Sequence, residues 1–201
     1  LFTERSMPGC IMVNRRGQRF VNESVAYTTA VQAMYRPDTA GNVNLPAFAI
    51  FDARYRRNYP FGPLLPGGMY LDWLQPARVR RRFLKSADTI AGLAAQLGVN
   101  GAGLAATVAK FNEFATSGVD ADFHRGENSY DLLYGDVRLG PNPCLAPIAE
   151  GPFHGIEIFP GDIGTKGGLL TNARAQVLDT AGAPIPGLYA IGNSSASPMG
   201  R

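Results

Sequence analysis

The sequence predicts an α+β protein, and three observations carry that expectation. Short β-branched or aromatic runs lie near both ends, two segments of helical periodicity fill the middle, and glycine and proline punctuate the whole. Of the 201 residues, 24 are Gly and 15 are Pro, so the backbone is turn-rich. No G-X-Y period, low-complexity tract or internal repeat occurs, and 45% hydrophobic residues suffice for a real core.

Ile11–Val13 and Arg19–Val21 flank a gap containing Gly17 and are read as a hairpin, the glycine supplying the positive φ of its loop. Val25 to Tyr35 places Val25, Ala26, Thr29, Ala30, Ala33 and Met34 on one helical face, and Pro37 and Gly41 end the pattern. Phe48–Phe51 is an apolar run between Pro46 and Asp52, as a buried strand requires. Residues 58–77, crowded with proline and glycine, are expected to be irregular. Asp88 or Thr89 caps a helix over Ile90–Leu97 that Gly98 stops. Asn100 caps a second helix, with Leu104, Val108, Phe111 and Ala115 on one face, ending at Gly118. Residues 118–152 read as loop. From Gly155 the texture turns to β: Ile156–Phe159, Leu169–Thr171, Ala175–Leu178 and Leu188–Ile191 are expected strands, and Asp179–Pro184 a turn. This tail is expected to lie in a different layer from the helical middle.

Only 17% of residues are charged and the net charge is +3, which excludes a disordered acidic tail and argues against a nucleic-acid-binding domain. The run Arg78-Val79-Arg80-Arg81-Arg82, beside Arg54, Arg56 and Arg57, reads as a solvated face or a domain contact. Cys10 and Cys144 form no CxxC pattern, and His124 and His154 are too scattered for a metal site. No transmembrane run or signal peptide is visible, so a reducing, cytoplasmic setting is expected. The chain begins at Leu1 and stops just after a Gly/Ser-rich loop, and is expected to be a piece of a longer protein.

No GxGxxG, P-loop, HExxH or GxSxG pattern is present. Three segments carry candidate chemistry. Arg19-Phe20-Val21-Asn22-Glu23-Ser24 leads into Tyr27 near a helix start, where backbone dipoles favour a phenolate. Read from the residues alone, a plain core or surface aromatic is the favoured reading of Tyr27. Gly161 to Gly168 holds four glycines in eight positions, so either a flat ligand or phosphate approaches the amides, or the chain simply turns a sharp corner. Pro186 to Ala196 reads as turn, strand and Gly-led loop, and ligands lie beyond such strand ends in open α/β sheets.

The order RFVNES..Y, then VNGAGLAATVAKFNEFATSGVDADFHRGENSYDLLYGD, then GPFHGIEIFPGDIGTKGGLLTNARAQVLD, then PIPGLYAIGNSSASPMG resembles the flavin-dependent 3-ketosteroid dehydrogenases. It is most similar to the Δ1-dehydrogenases, within the fumarate reductase/succinate dehydrogenase flavoprotein superfamily, and the resemblance covers nearly the whole chain. It implies an α+β catalytic domain inserted in a Rossmann-type FAD-binding domain. Residues 1–160 would be the inserted substrate domain, and 161–201 the return into the FAD domain, of which only these C-terminal strands are present. It implies FAD as cofactor, with Gly167, Gly168, Gly192, Asn193, Ser194 and Ala196 against it, a 3-ketosteroid as substrate, a separate electron acceptor, no metal and no nucleic acid. The implied reaction is 1,2-desaturation: a base takes the C2 proton, hydride passes from C1 to flavin N5, and the 3-keto oxygen is polarised. Tyr27 matches the family position of the base. Free tyrosine titrates near about 10, so the family uses a second tyrosine, outside these residues, to lower it. Tyr59–Leu74 would line or cover a steroid-sized pocket. The family's dinucleotide fingerprint and the TYPGPG-type segment lie outside these residues, and Arg201 stands where the family has His. Asp162-Ile163-Gly164-Thr165 lacks the histidine of the fumarate-reducing branch, which counts against that chemistry. The Δ4-(5α)-dehydrogenases and other fumarate-reductase-like oxidoreductases are the enzymatic alternatives. A truncated homologue serving only as a binding module is the non-enzymatic one.

Overall fold

Strand β2 (Ala47–Phe51) is buried along its full length and organises the first part of the chain. In this computed structural model, which describes residues 3–37, 44–69, 82–161 and 167–196, β2 pairs antiparallel with β1 (Cys10–Val13) and with β4 (Phe153–Ile158). β3 (Lys85–Ala87) joins the far side of β4, so the order is β1-β2-β4-β3. Register follows the pleat: Ile11 faces Ile50, and Ala49 faces Ile156.

Because side chains alternate across a strand, the all-apolar β2 feeds two cores at once. Phe48 and Ile50 join Ile11 and Val13 beneath the two middle helices, packing on Leu93, Leu104, Val108 and Phe111. Ala49 and Phe51 face the opposite way, into Cys10, Tyr55, Phe61, Leu64 and Ile156. Met12 and Ala47 contribute to a third cluster, with Val21, Ala33 and Met34.

Helices among the described residues include α1 (Tyr27–Tyr35), α2 (Ala53–Asn58), α3 (Ile90–Leu97), α4 (Gly101–Ser117) and α5 (Ser129–Leu133). The middle pair behaves as its sequence requires. The side chains of Thr89 and Asn100 accept from the Gly92 and Gly103 amides, and left-handed Gly98 and Gly118 close the two helices.

Several expectations are corrected. Arg19–Val21 is no strand: only a bridge from Val13 to Arg19 survives of the hairpin, because Arg19 turns inward to meet charged partners. Helix α1 starts at Tyr27, not Val25. The loop reading of 118–152 missed α5, which Asn128 caps through the Asp131 amide. Helix α2, capped by Asp52 on the Tyr55 amide, and β3 were not anticipated, being only six and three residues long. The expected β tail also divides, since β4 is an inner strand of the first sheet. Arg56 is buried rather than solvated, its guanidinium donating to the Leu65 carbonyl. Residues 78–81 of the basic run lie outside the described residues.

Leu1–Pro160 forms one compact unit and Gly161–Arg201 a second. The second contains β5 (Gln176–Leu178) and β6 (Pro184–Tyr189), paired antiparallel across a bulge. β6 is an edge strand, which tolerates its two prolines. It spans part of the expected turn and ends before Ile191. Of the expected strand Leu188–Ile191, Ala190 is buried while Leu188, Tyr189 and Ile191 are exposed in this chain. Leu169–Thr171 makes only isolated bridges.

Gly103 lies inside α4, where alanine ordinarily stabilises a helix by about 1 kcal/mol. Here an added Cβ would fall 2.0 Å from the Arg16 carbonyl oxygen. Gly103→Ala is therefore expected to invert the usual sign and destabilise by about 1–3 kcal/mol in denaturant titration.

Candidate active site

Tyr27 is the first residue of α1 and is half-buried. The segment leading to it is built on a buried ionic cluster. Glu23 is fully buried, and Arg19, four residues before it, forms a bidentate pair through Nε (2.9 Å) and an Nη (2.8 Å). Arg125 adds a third guanidinium contact at 3.1 Å, and the Met12 amide donates to the same carboxylate at 3.0 Å. Arg19 also bridges to buried Asp120 at 2.7 and 3.0 Å, and its guanidinium lies over the rings of Phe111 (5.1 Å) and Phe123 (4.9 Å). The rest of Arg125 serves carbonyls of Ser6, Met7 and Cys10.

Burial alone would push the Glu23 carboxyl up, but Arg19 and Arg125 outweigh it and hold it below the usual carboxylate range. Asp120 is likewise raised by burial and lowered by more through Arg19. Burial lowers Arg5, and Glu23 opposes this. Three buried guanidinium groups thus face two buried carboxylates behind the RFVNES segment.

The peptide groups before Tyr27 are also held. Arg5 donates to the carbonyls of Glu23 and Val25. Asn22 Oδ1 accepts from the Ser24 amide at 2.8 Å, while its Nδ2 donates to Asp131 at 2.8 Å. Arg5, Asp120 and Arg125 carry no signal in the sequence, and Glu23 stands there only as part of the segment before Tyr27. The i,i+4 spacing of Arg19 and Glu23 was the available signal, but Asp120 and Arg125 are about a hundred residues away.

In the second unit the two glycine-bearing segments come together. Leu169 N–H donates to Ser194 (3.0 Å) and Ala196 N–H to Leu169 (2.9 Å), a parallel bridge. Gly168 makes that approach possible: a Cβ there would lie 2.3 Å from the Ser195 carbonyl. Its missing side chain therefore serves the chain itself. Gly167 and Gly192 have open space where a Cβ would be, and Gly192 sits at φ +58. Gly192, Asn193 and Ser194 form an exposed 3-10 turn leading to Ala196. Bare, outward-facing backbone of this kind suits a flat ring or phosphate lying directly on it. Residues 162–166 lie outside the described residues.

Other candidates resolve otherwise. His154 is buried against Phe51, with Nδ1 2.8 Å from Ser86 Oγ, and His124 is exposed beside Glu127. Among the described residues no three of His, Cys, Asp and Glu gather as a metal site would need, and no helix is long and apolar enough to cross a membrane. Cys10 and Cys144 are free and buried, and burial raises both thiols. Tyr59, Phe61 and Leu64 are core residues rather than a pocket lining: ring stacking on Phe51 and a 2.5 Å bond from Tyr59 to Asp136 draw this stretch inward. Leu65 and Met69 are exposed, and residues 70–74 lie outside the described residues. A groove of about 500 Å³ between α4 and Phe123 contains none of the sequence-predicted site residues.

Glu23 and Asp120 titrate below their unfolded values, so their stabilisation is complete above the ordinary carboxylate range and lost as pH falls through the depressed values. The full-length protein is expected to hold its denaturant midpoint down to about pH 5 and lose it steeply below about pH 4. Glu23→Gln leaves two buried guanidiniums under-compensated. It is expected to cost about 3–5 kcal/mol near neutrality and to flatten that acid slope.

Comparison with known proteins finds relatives along the whole chain. The chain is 44% identical to the 3-oxosteroid 1-dehydrogenase of Mycobacterium tuberculosis, over 99% of this chain and 35% of that protein. It is 42% identical to the 4-oxocyclohexanecarboxylate 2-dehydrogenase of Sinomonas cyclohexanicum, over 96% of this chain and 33% of that protein. The crystal structure of the 3-ketosteroid Δ1-dehydrogenase of Sterolibacterium denitrificans, in complex with 1,4-androstadiene-3,17-dione, superposes with a TM-score of 0.90 at 48% identity, covering 100% of this chain and 35% of that one. The chain thus spans about a third of the length of these relatives. The model of the FAD binding domain family matches residues 1–201, and the chain belongs to that family.

Proposed function

We propose that this chain is part of an FAD-dependent 3-ketosteroid Δ1-dehydrogenase, with Tyr27 as the base that removes the C2 proton. The observation that carries this reading is the 44% identity to a 3-oxosteroid 1-dehydrogenase across 99% of the chain. In this reading residues 1–160 are the inserted catalytic domain and 161–201 return to the FAD-binding domain. The exposure of Leu169, Leu170, Tyr189 and Ile191 supports that division, because an apolar edge of this kind needs the rest of a domain to cover it. A cytoplasmic location and a separate electron acceptor complete the proposal.

FAD, when bound, supplies the two-electron acceptor for the hydride that leaves C1. Gly167 and Gly192, with Asn193, Ser194 and Ala196, would hold it on open backbone, and Gly168 would hold those two segments together. Tyr27 receives the C2 proton on its phenolic oxygen, and the C2–H electron pair becomes part of the C1=C2 double bond. The ionic cluster behind Glu23 keeps the base on a rigid support, as proton transfer over hydrogen-bond distance demands.

A smaller ring ketone is the second reading, favoured by the 42% identity to a 4-oxocyclohexanecarboxylate 2-dehydrogenase. In the full-length enzyme, a 4-ene-3-one steroid is expected to bleach the flavin and yield the 1,4-diene. Bleaching by 4-oxocyclohexanecarboxylate alone would select the second reading, and no bleaching by either would refute both. A 5α-3-ketosteroid that yields the Δ4 product instead would move the assignment to the Δ4-(5α) enzymes.

Tyr27→Phe is expected to lower kcat by about 10²–10⁴-fold while FAD stays bound. Near-parental turnover would remove the base assignment. Gly192→Val, strained at positive φ and filling open space, is expected to reduce flavin content measured by absorbance, with the first unit's stability unchanged.

A further inference from the structure

The start of α1 conflicts with its own sequence. Ser24 is a favoured helix cap, and a helix capped there would begin at Val25, in line with its apolar spacing. The helix instead begins at Tyr27, with Ala26 at the cap position, no side-chain cap and no acidic residue in the first turn. The Ser24 hydroxyl is buried without a hydrogen-bond partner. Something therefore opposes the earlier start.

The opposing group is Arg5. In a Ser24-capped helix the Ser24 and Val25 carbonyls would accept from the Thr28 and Thr29 amides. In the structure the Val25 carbonyl accepts from Arg5, as does that of Glu23, and the first helical bond runs from the Ala30 amide to Ala26 at 3.1 Å. Asn22 makes the companion turn, accepting from the Ser24 amide through its side chain and from the Val25 amide through its carbonyl. Arg5 is itself buried, and Glu23, Arg19 and Arg125 fix the charges around it.

We propose that Arg5 is a positioning residue for Tyr27: by holding the Glu23 and Val25 carbonyls it denies α1 its Ser24-capped start and keeps Tyr27 as the first helical residue. The consequence is geometric. A helical Cα–Cβ bond tilts toward the N-terminus, so a first residue presents its side chain past the helix end, whereas a third residue lies over a preceding turn. The inference rests on Tyr27 acting as the base, but the helix start can be read without activity.

The test uses the full-length flavoprotein carrying Arg5→Met, Arg5→Lys, Ser24→Ala, and Arg5→Met with Ser24→Ala. In Arg5→Met, Thr28 and Thr29 are expected to gain amide hydrogen-exchange protection as α1 extends. kcat should fall at least tenfold, with KM within threefold and a larger isotope effect for C2-deuterated steroid. Lysine, whose single nitrogen would replace the two that Arg5 uses for the Glu23 and Val25 carbonyls, should rescue little. Ser24→Ala should restore kcat several-fold in the Arg5→Met background, because it removes the competing cap, and leave turnover unchanged alone. A core variant of equal thermal destabilisation, Val108→Ala, controls for stability and should keep kcat. Unchanged exchange at Thr28 and Thr29, or kcat within twofold of the parent in Arg5→Met, overturns the proposal. Altered exchange together with full activity in Tyr27→Phe upholds Arg5 as the residue that sets the helix start and removes only the assignment of the base.

Discussion

Glu23 carries its charge at zero exposure, and the first unit is arranged around making that tolerable. An isolated buried carboxylate would take up a proton rather than remain ionised. Two guanidiniums and one amide satisfy this one, and each comes from a different stretch: Arg19 from the turn after β1, Arg125 from the loop after α4, and the Met12 amide from β1 itself. The carboxylate thereby joins segments that the apolar clusters alone leave free to slide. Arg125 extends the effect to the carbonyls of Ser6, Met7 and Cys10, so the N-terminal strand is fixed in depth as well as register. Such clusters are weak evidence for stability in themselves, but a unique arrangement of charges selects one packing among several.

The segment most constrained by this cluster is the one that delivers Tyr27. Its peptide groups are engaged by side chains rather than by a ladder or a helix, which is why it is neither strand nor helix although it lies between the two. Local propensity is overridden here by long-range hydrogen bonds. The second unit shows the opposite regime. Among its described residues only Val177 and Ala190 are buried hydrophobics, while its bridged glycine segments present backbone outward. The first unit is organised by a buried charge and the second by the absence of side chains.

The middle of the fold was legible in the sequence because its signals are local. Thr89, Gly98, Asn100 and Gly118 each act on the peptide groups of their own helix, so residue type and spacing sufficed. The apolar run at Phe48–Phe51 was equally plain. The separation of β4 from the tail was not, because strand order depends on which edge a strand meets. Neither was the core role of Tyr59, Phe61 and Leu64, whose Pro/Gly-rich surroundings suggested an open loop. The candidate site was legible as motif and not as support: Tyr27, Gly167, Gly168, Gly192, Asn193, Ser194 and Ala196 stand in recognisable order, while Arg5, Asp120 and Arg125 carry no local signature.

By itself the sequence determined the α+β class, the capped helix pair, the buried central strand and the family to which the motifs belong. These follow from periodicity, caps and residue order, all of which act over a few positions. Only the tertiary structure decided that Arg19 turns inward, that Arg125 meets Glu23 across about a hundred residues, and that α1 waits until Tyr27 to begin. Those outcomes are electrostatic and steric bargains between distant segments. A buried charge accepts whichever partners the fold brings within hydrogen-bond reach, and that reach is absent from the order of the residues.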